Sequence, residues 1–270
     1  MPPAESQRPR DADRRLREGE LVSAPDAAIL VAAGAVAGLV GTAGGITSLV
    51  SYPVLLAVGL PALAANIANI IAVIWCWPGS ALASGPELRG RGRWLLPWTA
   101  VATLGGAAGA ALLLVTPPGV FARIVPFLVA AGAAALLLQP RLAARHGRGR
   151  RPRLVLPGGL LTVSMYNGYF GAGSGVMTLA LLMVTVEGHL ARANALKNML
   201  IGAGTIAAAV GLVAFGPVDW SAALPLGAGM FAGSTIGPRV TRRLPADRLR
   251  WIIGLLGIGL AVELAVRGGI

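Results

Sequence analysis

Long apolar runs with almost no charge dominate this chain. Of its 270 residues, 55% are hydrophobic and 13% are charged, whereas soluble domains carry about 25% charged residues. A soluble domain of this length has too little interior to hide so much apolar surface, and a disordered chain would be far more polar. Most of the chain must therefore be solvated by lipid.

The apolar runs predict an all-α integral membrane protein with about ten spans. A β-barrel strand alternates apolar and polar residues, but these runs are apolar throughout. A helix needs about 20 apolar residues to cross a bilayer, so the short runs 28–43 and 44–59 predict broken or re-entrant helices. Almost nothing is left for a soluble receptor or enzyme domain. The predicted spans are 28–43, 44–59, 61–83, 94–115, 119–138, 154–171, 173–187, 191–215, 220–238 and 249–267.

The two halves of the chain resemble each other. At an offset that falls from 130 to 127 residues, glycines, prolines and polar residues of one half meet the same types in the other. Five spans per half is an odd number, so the halves must lie in opposite orientations, as in the inverted repeats of secondary transporters. The matched pairs include Gly41 with Gly171, Gly45 with Gly175, Asn69 with Asn198 and Pro97 with Pro225.

Charge placement divides the chain and orients it. Three arginine-rich loops are separated by even numbers of predicted spans, so all three can lie in the cytoplasm, with both termini outside. Four spans per half would place the N-terminal tail in the cytoplasm, but the third loop would then lie on the outer side of the membrane. The loops are 89–93, 141–153 and 239–250. The predicted segments are a mobile polar tail (1–27), a first membrane repeat (28–138), a basic cytoplasmic linker (139–153) and a second membrane repeat (154–270).

The remaining composition excludes several classes of function. The net charge is +12, but the arginines flank apolar runs instead of sharing one face, which argues against nucleic-acid binding. The lone Cys76 excludes an internal disulfide, and His146 and His189 lack metal-ligand spacing. We expect no enzyme, cofactor or metal. The expected partners are the lipid bilayer and a small anionic substrate, and a homo-oligomer stays open.

Two glycine-rich segments at equivalent places in the halves predict helix breaks. They are Gly41-Thr42-Ala43-Gly44-Gly45 and Gly171-Ala172-Gly173-Ser174-Gly175. Each glycine costs a helix about 1 kcal/mol, and free backbone groups inside a membrane need protein or a water-filled cavity to satisfy them. The helix after each break presents N–H groups with partial positive charge, which suits an anion. The alternative interpretation is close helix packing through small residues.

Polar side chains within the predicted spans extend this candidate site. Asn66 and Asn69 share one helix face, and Asn194, Lys197 and Asn198 share another, because each set is spaced by three or four residues. A lysine inside a span is costly unless it snorkels or meets an anion or an acid. We predict a cationic contact for an anionic substrate, with snorkelling or interhelical hydrogen bonding as the alternative.

Aromatic residues flank the same segments. Tyr166 and Asn167 immediately precede the second glycine segment, where both can donate hydrogen bonds to a ligand. The alternative for the tyrosine is packing or an interfacial position. Trp75 and Trp77 follow the first polar face and are interpreted as interface anchors.

The order of these features resembles the TauE/SafE family of sulfite and sulfonate exporters. The glycine-rich run is followed by Pro53-Val-Leu, by Gly59-Leu-Pro and by an Ala-rich polar segment from Ala65. A weaker second copy ends in Ala193-Asn-Ala-Leu-Lys-Asn, and the resemblance spans residues 30–267. Two departures are Thr42-Ala43 within the glycine run and Asn66 where members often carry Thr or Ser.

The resemblance implies a bacterial inner-membrane protein that exports small sulfur-containing anions. A potential that is negative inside favours this direction by about 2.3 kcal/mol per charge per 100 mV. Glu263 is the only carboxylate clearly within a predicted span, so a relay of carboxylates is poorly supported, although Glu263 or Lys197 could carry a proton. We expect alternating access at a site between the two breaks. The alternatives are a carrier or channel for another solute and a non-transporting scaffold.

Overall fold

The chain is helical throughout the part that the computed structural model describes. This part comprises residues 22–143, residues 155–240 and some positions within 255–266. The prediction of an all-α chain is confirmed there. The helices are α1 (Ala24–Gly44), α2 (Thr47–Ala57), α3 (Ala62–Val73), α4 (Cys76–Ala83), α5 (Gly85–Leu88), α6 (Gly92–Val115), α7 (Pro118–Ala143), α8 (Val155–Tyr169), α9 (Ser174–Thr185), α10 (Leu190–Phe215) and α11 (Trp220–Val240).

Several helices have the length and composition of membrane spans. Within the described residues, five segments are long and apolar enough to cross a bilayer: Ala24–Gly44, Ala62–Ala83, Gly92–Val115, Pro118–Leu138 and Leu190–Phe215. Helices α2 and α9 are apolar but shorter. The count of ten spans stays a prediction. The predicted last span lies mostly outside the described residues, as do most of the tail and of the basic linker.

Helix α1 is longer than the sequence indicated. It begins at Ala24, within the segment assigned to the polar tail, and has 21 residues instead of the 16 of the predicted run. The Ser23 hydroxyl accepts a hydrogen bond from the Asp26 amide at 3.3 Å, which caps the first turn. Pro25 and Asp26 are both favourable in a first helical turn. Because of these polar residues, α1 begins at Ala24, before residue 28 where the apolar run predicted its start.

Both glycine-rich segments end a helix, as predicted. Gly45 closes α1 in the left-handed region with φ of 83°, and its amide donates to the Gly41 carbonyl at 2.6 Å. Gly171 and Gly173 follow α8 with φ of 84° and 79°, and the Gly171 amide donates to the Tyr166 carbonyl at 3.1 Å. Glycine enters this region without the steric cost that a Cβ adds.

Glycines bring helices from the two halves of the chain into backbone contact. On α1, Gly34 faces Leu226 and Gly38 faces Met230, while further along α11 Gly237 meets Thr42. The contacts advance together along both helices, so α1 and α11 run parallel. Small residues of this kind let membrane helices approach closely.

The same arrangement joins α6 and α8. Gly105 on α6 meets Leu161, and Gly109 meets Met165 one turn further along α8, so these two helices also run parallel. Counted in predicted spans, the first span of each half therefore packs on the fourth span of the other half. The two halves are interlocked instead of forming separate bundles.

The first helices of the two halves run in opposite directions. Helix α4 is parallel to α11, because Trp75 packs at Gly227 and Gly79 at Ser234. Helix α10 is parallel to α6, as Gly204 meets Ala102 and Gly216 meets Leu114.

The turn that follows α4 fixes the relation between these two sets. Trp77 lies against Gly202, and beyond the turn Arg91 forms an ion pair with Glu187, just before α10 begins. From Trp77 to Arg91 the chain moves forward, while its contacts move back from Gly202 to Glu187. Helices α4 and α10 are therefore antiparallel. Therefore α1, α4 and α11 run one way, and α6, α8 and α10 run the other.

A pair of substitutions in α8 tests the glycine packing. A Cβ on Gly168 would meet backbone atoms of Gly106, whereas one on Gly158 would have no neighbour within 4 Å. Gly168→Ala is expected to lower the free energy of unfolding by about 1–3 kcal/mol through overpacking. Gly158→Ala should leave it unchanged or raise it by up to about 1 kcal/mol. Thermal unfolding in detergent compares the two, and equal midpoints would contradict the close approach.

Candidate functional site

The two glycine-rich segments meet each other in space. A Cβ on Gly45 would lie 2.5 Å from the carbonyl carbon of Gly175, and one on Gly175 would lie 2.5 Å from the Cα of Gly45. Both interpretations of these glycines are thus realised, since they break helices and also pack backbone against backbone. The contact places the start of α2 and the start of α9 side by side.

A cavity lined by both polar and apolar groups lies at this meeting point. Its volume is about 50 Å³, which is room for about four water-sized groups at about 10–15 Å³ each. Residues from both halves of the chain line it. They are Gly41, Thr42, Gly45, Thr47, Ser48, Val73, Cys76, Trp77, Ser80, Asn167, Gly171, Ser174, Gly175, Lys197, Asn198, Ile201 and Gly202.

Lys197 supplies a cationic group at the cavity. The residue is only 1% exposed, so its side chain does not reach water by snorkelling. Its Nζ donates one hydrogen bond, to the Gly41 carbonyl at 3.2 Å. An ammonium has three N–H donors, and no ion pair within the described residues engages the others. Two N–H groups therefore remain for a ligand in the cavity.

Two helix N-termini face the same space. Thr47 and Ser48 from the first turn of α2, and Ser174 and Gly175 from the first turn of α9, line the cavity. First-turn amides have no acceptor within their own helix and carry partial positive charge. Together with Lys197 they make the cavity attractive to an anion.

Hydrogen bonds hold the polar lining in place. Ser174 Oγ donates to Asn167 Oδ1 at 2.7 Å, and Asn167 Nδ2 donates to Thr205 Oγ1 at 3.0 Å. On the opposite wall, Asn69 Nδ2 donates to Ser48 Oγ at 2.9 Å. Such bonds preorganise polar groups at a binding site.

The remaining predicted site residues lie beside the cavity and fix the helix breaks. Asn66 donates to the Tyr169 carbonyl at 2.9 Å, and Asn194 donates to the Thr42 carbonyl, also at 2.9 Å. Each asparagine thus caps the last turn of the broken helix in the other half. The predicted residues that do not line the cavity are Gly44, Asn66, Asn69, Tyr166, Gly173 and Asn194.

Tyr166 and the two remaining glycines have structural contacts. The Tyr166 hydroxyl donates to the Ala172 carbonyl at 2.8 Å and lies 3.1 Å from the Leu128 carbonyl, so it holds the second break against α7. Gly173 packs against Gly132 of α7, and Gly44 has no neighbour within 4 Å of a Cβ.

Sequence reasoning missed the wall of the cavity that α4 provides. Cys76, Trp77 and Ser80 all line it, although the sequence analysis interpreted Trp77 as an interface anchor and placed neither Cys76 nor Ser80 at the site. The signal was Pro78, which lacks an N–H and clashes with the carbonyl four residues earlier. That carbonyl belongs to Ile74, where the predicted span 61–83 divides into α3 and α4.

The described lining of this cavity contains no acidic group. No carboxylate, histidine or arginine is among the described residues that line it. Nowhere in the part of the chain that the structure describes do three or more His, Cys, Asp or Glu side chains cluster to hold a metal. A lysine together with hydroxyl groups and residues of two helix N-termini is a set of groups suited to a small anion.

These features define a class of protein. Five described segments are long and apolar enough to cross a bilayer, and a cavity lies where two helices break, an arrangement that secondary transporters use. The chain belongs to the TauE/SafE family: residues 27–264 match the family described as sulfite exporter TauE/SafE. It is accordingly a membrane transporter of that family.

Two relatives carry compatible names. A probable membrane transporter protein ORF9 of Sinorhizobium sp is 26% identical over 239 residues, which cover 88% of this chain and 91% of the relative. A probable membrane transporter protein of Haemophilus influenzae is 26% identical over 253 residues, covering 90% and 95%. No solved structure matches the chain significantly.

Proposed function

We propose that the protein exports small sulfur-containing anions, such as sulfite and sulfonates, across the bacterial inner membrane. The observation that carries this proposal is the convergence of the Lys197 ammonium and two helix N-termini on one buried cavity. The family description supplies the chemical class of the anion. Alternating access would expose the cavity to one side of the membrane and then to the other.

Helix direction supports an inverted repeat of two five-helix halves around this cavity. Helices α1 and α8 begin the two halves and run in opposite directions. Their breaks are capped reciprocally, by Asn194 on the Thr42 carbonyl and by Asn66 on the Tyr169 carbonyl. In an inverted repeat, each half can adopt the conformation of the other half. The cavity then closes on one side of the membrane and opens on the other side.

The polarity of the helix ends favours an anion over a cation. A cation would need free backbone carbonyls at the break. The Gly41 carbonyl instead accepts from Lys197, and the Thr42 carbonyl accepts from both Asn194 and Asn198. The carbonyl ends of α1 are thus occupied by donors of the protein, while residues in the first turns of α2 and α9 line the cavity.

Transport by the reconstituted protein tests the proposal. Purified protein in liposomes is adsorbed on a solid-supported membrane, and transient currents are recorded for sulfite, thiosulfate, sulfoacetate, taurine, sulfate and chloride. We expect saturable currents for sulfur oxyanions alone. A saturable current for an unrelated cation, or for chloride alone, would contradict the proposed substrate class. A scaffold that acts through its cytoplasmic arginines would give no current for any solute.

Substitution of Trp77 is expected to change which sulfur anions are transported. Its indole packs on Gly202, where a Cβ would lie 2.5 Å from the indole Cγ, and it forms part of the cavity wall. Trp77→Ala enlarges the cavity, so the ratio of sulfoacetate to sulfite transport should rise by about tenfold. The measurement is the ratio of the two saturating currents.

Trp75 provides the matched control. It packs on Gly227 of α11 and does not line the cavity. Trp75→Ala removes the same side chain two residues away and should leave the sulfoacetate-to-sulfite ratio unchanged. If both variants alter the ratio equally, the wall at Trp77 does not set substrate size.

A further inference from the structure

Among the residues that the structure describes, no group near Lys197 balances its charge. The side chain is 1% exposed and bonds only to a neutral carbonyl, that of Gly41. Keeping an ammonium in such a place without a counter-ion costs several kcal/mol. The cavity beside it is the space in which a counter-ion can arrive.

Among the described residues, no other charged side chain lines this cavity. Helices α1, α2, α8 and α9 contribute glycine, serine, threonine and asparagine to the lining. Helix α4 contributes Cys76, which is the one other titratable side chain among the described lining residues. The described carboxylates, such as Glu187 and Glu263, lie outside the lining.

We propose that Lys197 binds a proton together with the anion, so that each transported anion is accompanied by one proton. This rests on the proposed anion site. The anion stabilises the ammonium, and the ammonium attracts the anion. The two binding events are therefore linked, and the linkage must be equal in both directions. When the anion leaves, the ammonium loses its partner and releases its proton to the water on that side.

The charge balance is compatible with export. A divalent anion that leaves with one proton still removes one negative charge, which a membrane potential that is negative inside favours. A monovalent sulfonate with one proton moves without net charge. The sulfonate gradient and the proton gradient together then set the direction of transport. The proposal therefore also predicts how the current should depend on the valence of the anion.

Calorimetric titration of the purified full chain tests the linkage. The probes are thiosulfate and ethanesulfonate, because both stay ionised around neutral pH and take up no proton themselves. Heats measured in buffers with different ionisation enthalpies give the number of protons bound with each anion. We expect up to one proton per anion, and an affinity that falls with rising pH towards a limit of about tenfold per pH unit.

Two variants assign the proton to a residue. Lys197→Arg keeps a cation that does not deprotonate, so whatever its affinity it should bind the probe without proton uptake. Cys76→Ala removes the other titratable group and should retain the uptake. If the arginine side chain blocks the cavity and no anion binds, the number of protons taken up with each anion by Cys76→Ala still shows whether Cys76 is the group that binds the proton.

Each result has a distinct meaning. Anion binding by the unmodified protein without proton uptake would overturn the linkage and leave the proposed function standing. Uptake that survives in Lys197→Arg, or that disappears in Cys76→Ala, would place the proton elsewhere and overturn the assignment. Absence of binding by either probe would overturn the anion site itself, and the linkage with it.

Discussion

Lys197→Met is expected to abolish saturable anion transport without unfolding the protein. The substitution removes the cationic group from the cavity and keeps a side chain of similar length. Loss of one partner of a buried charge pair costs about 2–5 kcal/mol, or about thirtyfold or more in affinity. The buried Lys197 side chain has no counter-ion among the described residues, so its replacement by an apolar side chain should leave stability unchanged or raise it. Transport and stability are thus predicted to move in opposite directions.

The measurement combines solid-supported membrane currents with a thermal unfolding curve in the same detergent. Arg93→Met serves as the control, because it removes one positive charge by the same substitution from an exposed position. The control should transport like the unmodified protein. If Lys197→Met and Arg93→Met retain equal currents, Lys197 is a structural residue and the anion site lies elsewhere.

Apolar length predicted the helices well because it is a local property of the chain. The runs 94–115, 173–187 and 191–215 correspond to Gly92–Val115, Ser174–Thr185 and Leu190–Phe215, with ends that differ by one or two residues. Larger differences arise where a polar residue or a proline decides the boundary. Ser23 begins α1 early, and Pro78 divides the third predicted span.

The candidate site was harder to predict because its shape depends on contacts between distant segments. Spacing placed Asn194, Lys197 and Asn198 on one helix face, and all three do approach α1. It could not show that Lys197 and Asn198 line a cavity while Asn194 caps a carbonyl beside it. That distinction depends on the position of Gly41 and Thr42, which lie in the last turn of α1 in the other half of the chain. The wall at Cys76 and Trp77 likewise requires knowledge of which helix packs opposite.

Gly45→Ala is expected to be among the most damaging single-methyl additions in the chain. Gly45 has φ of 83°, where a Cβ costs about 1–2 kcal/mol. The added methyl would also lie 2.5 Å from a backbone atom of Gly175, and overpacking of this kind costs about 1–3 kcal/mol. Because backbone cannot rotate away as a side chain can, we expect a combined loss of about 2–5 kcal/mol in the free energy of unfolding.

The adjacent glycine supplies the control for this substitution. Gly44 is the last residue of α1, and a Cβ there would have no neighbour within 4 Å. Gly44→Ala should therefore be neutral or stabilise by up to about 1 kcal/mol. Unfolding midpoints and the yield of monodisperse protein compare the two variants. Equal behaviour would mean that the breaks do not touch, and the cavity between them would then lose its geometric basis. A loss confined to Gly45→Ala would instead tie the stability of the fold to the same backbone contact that forms the site.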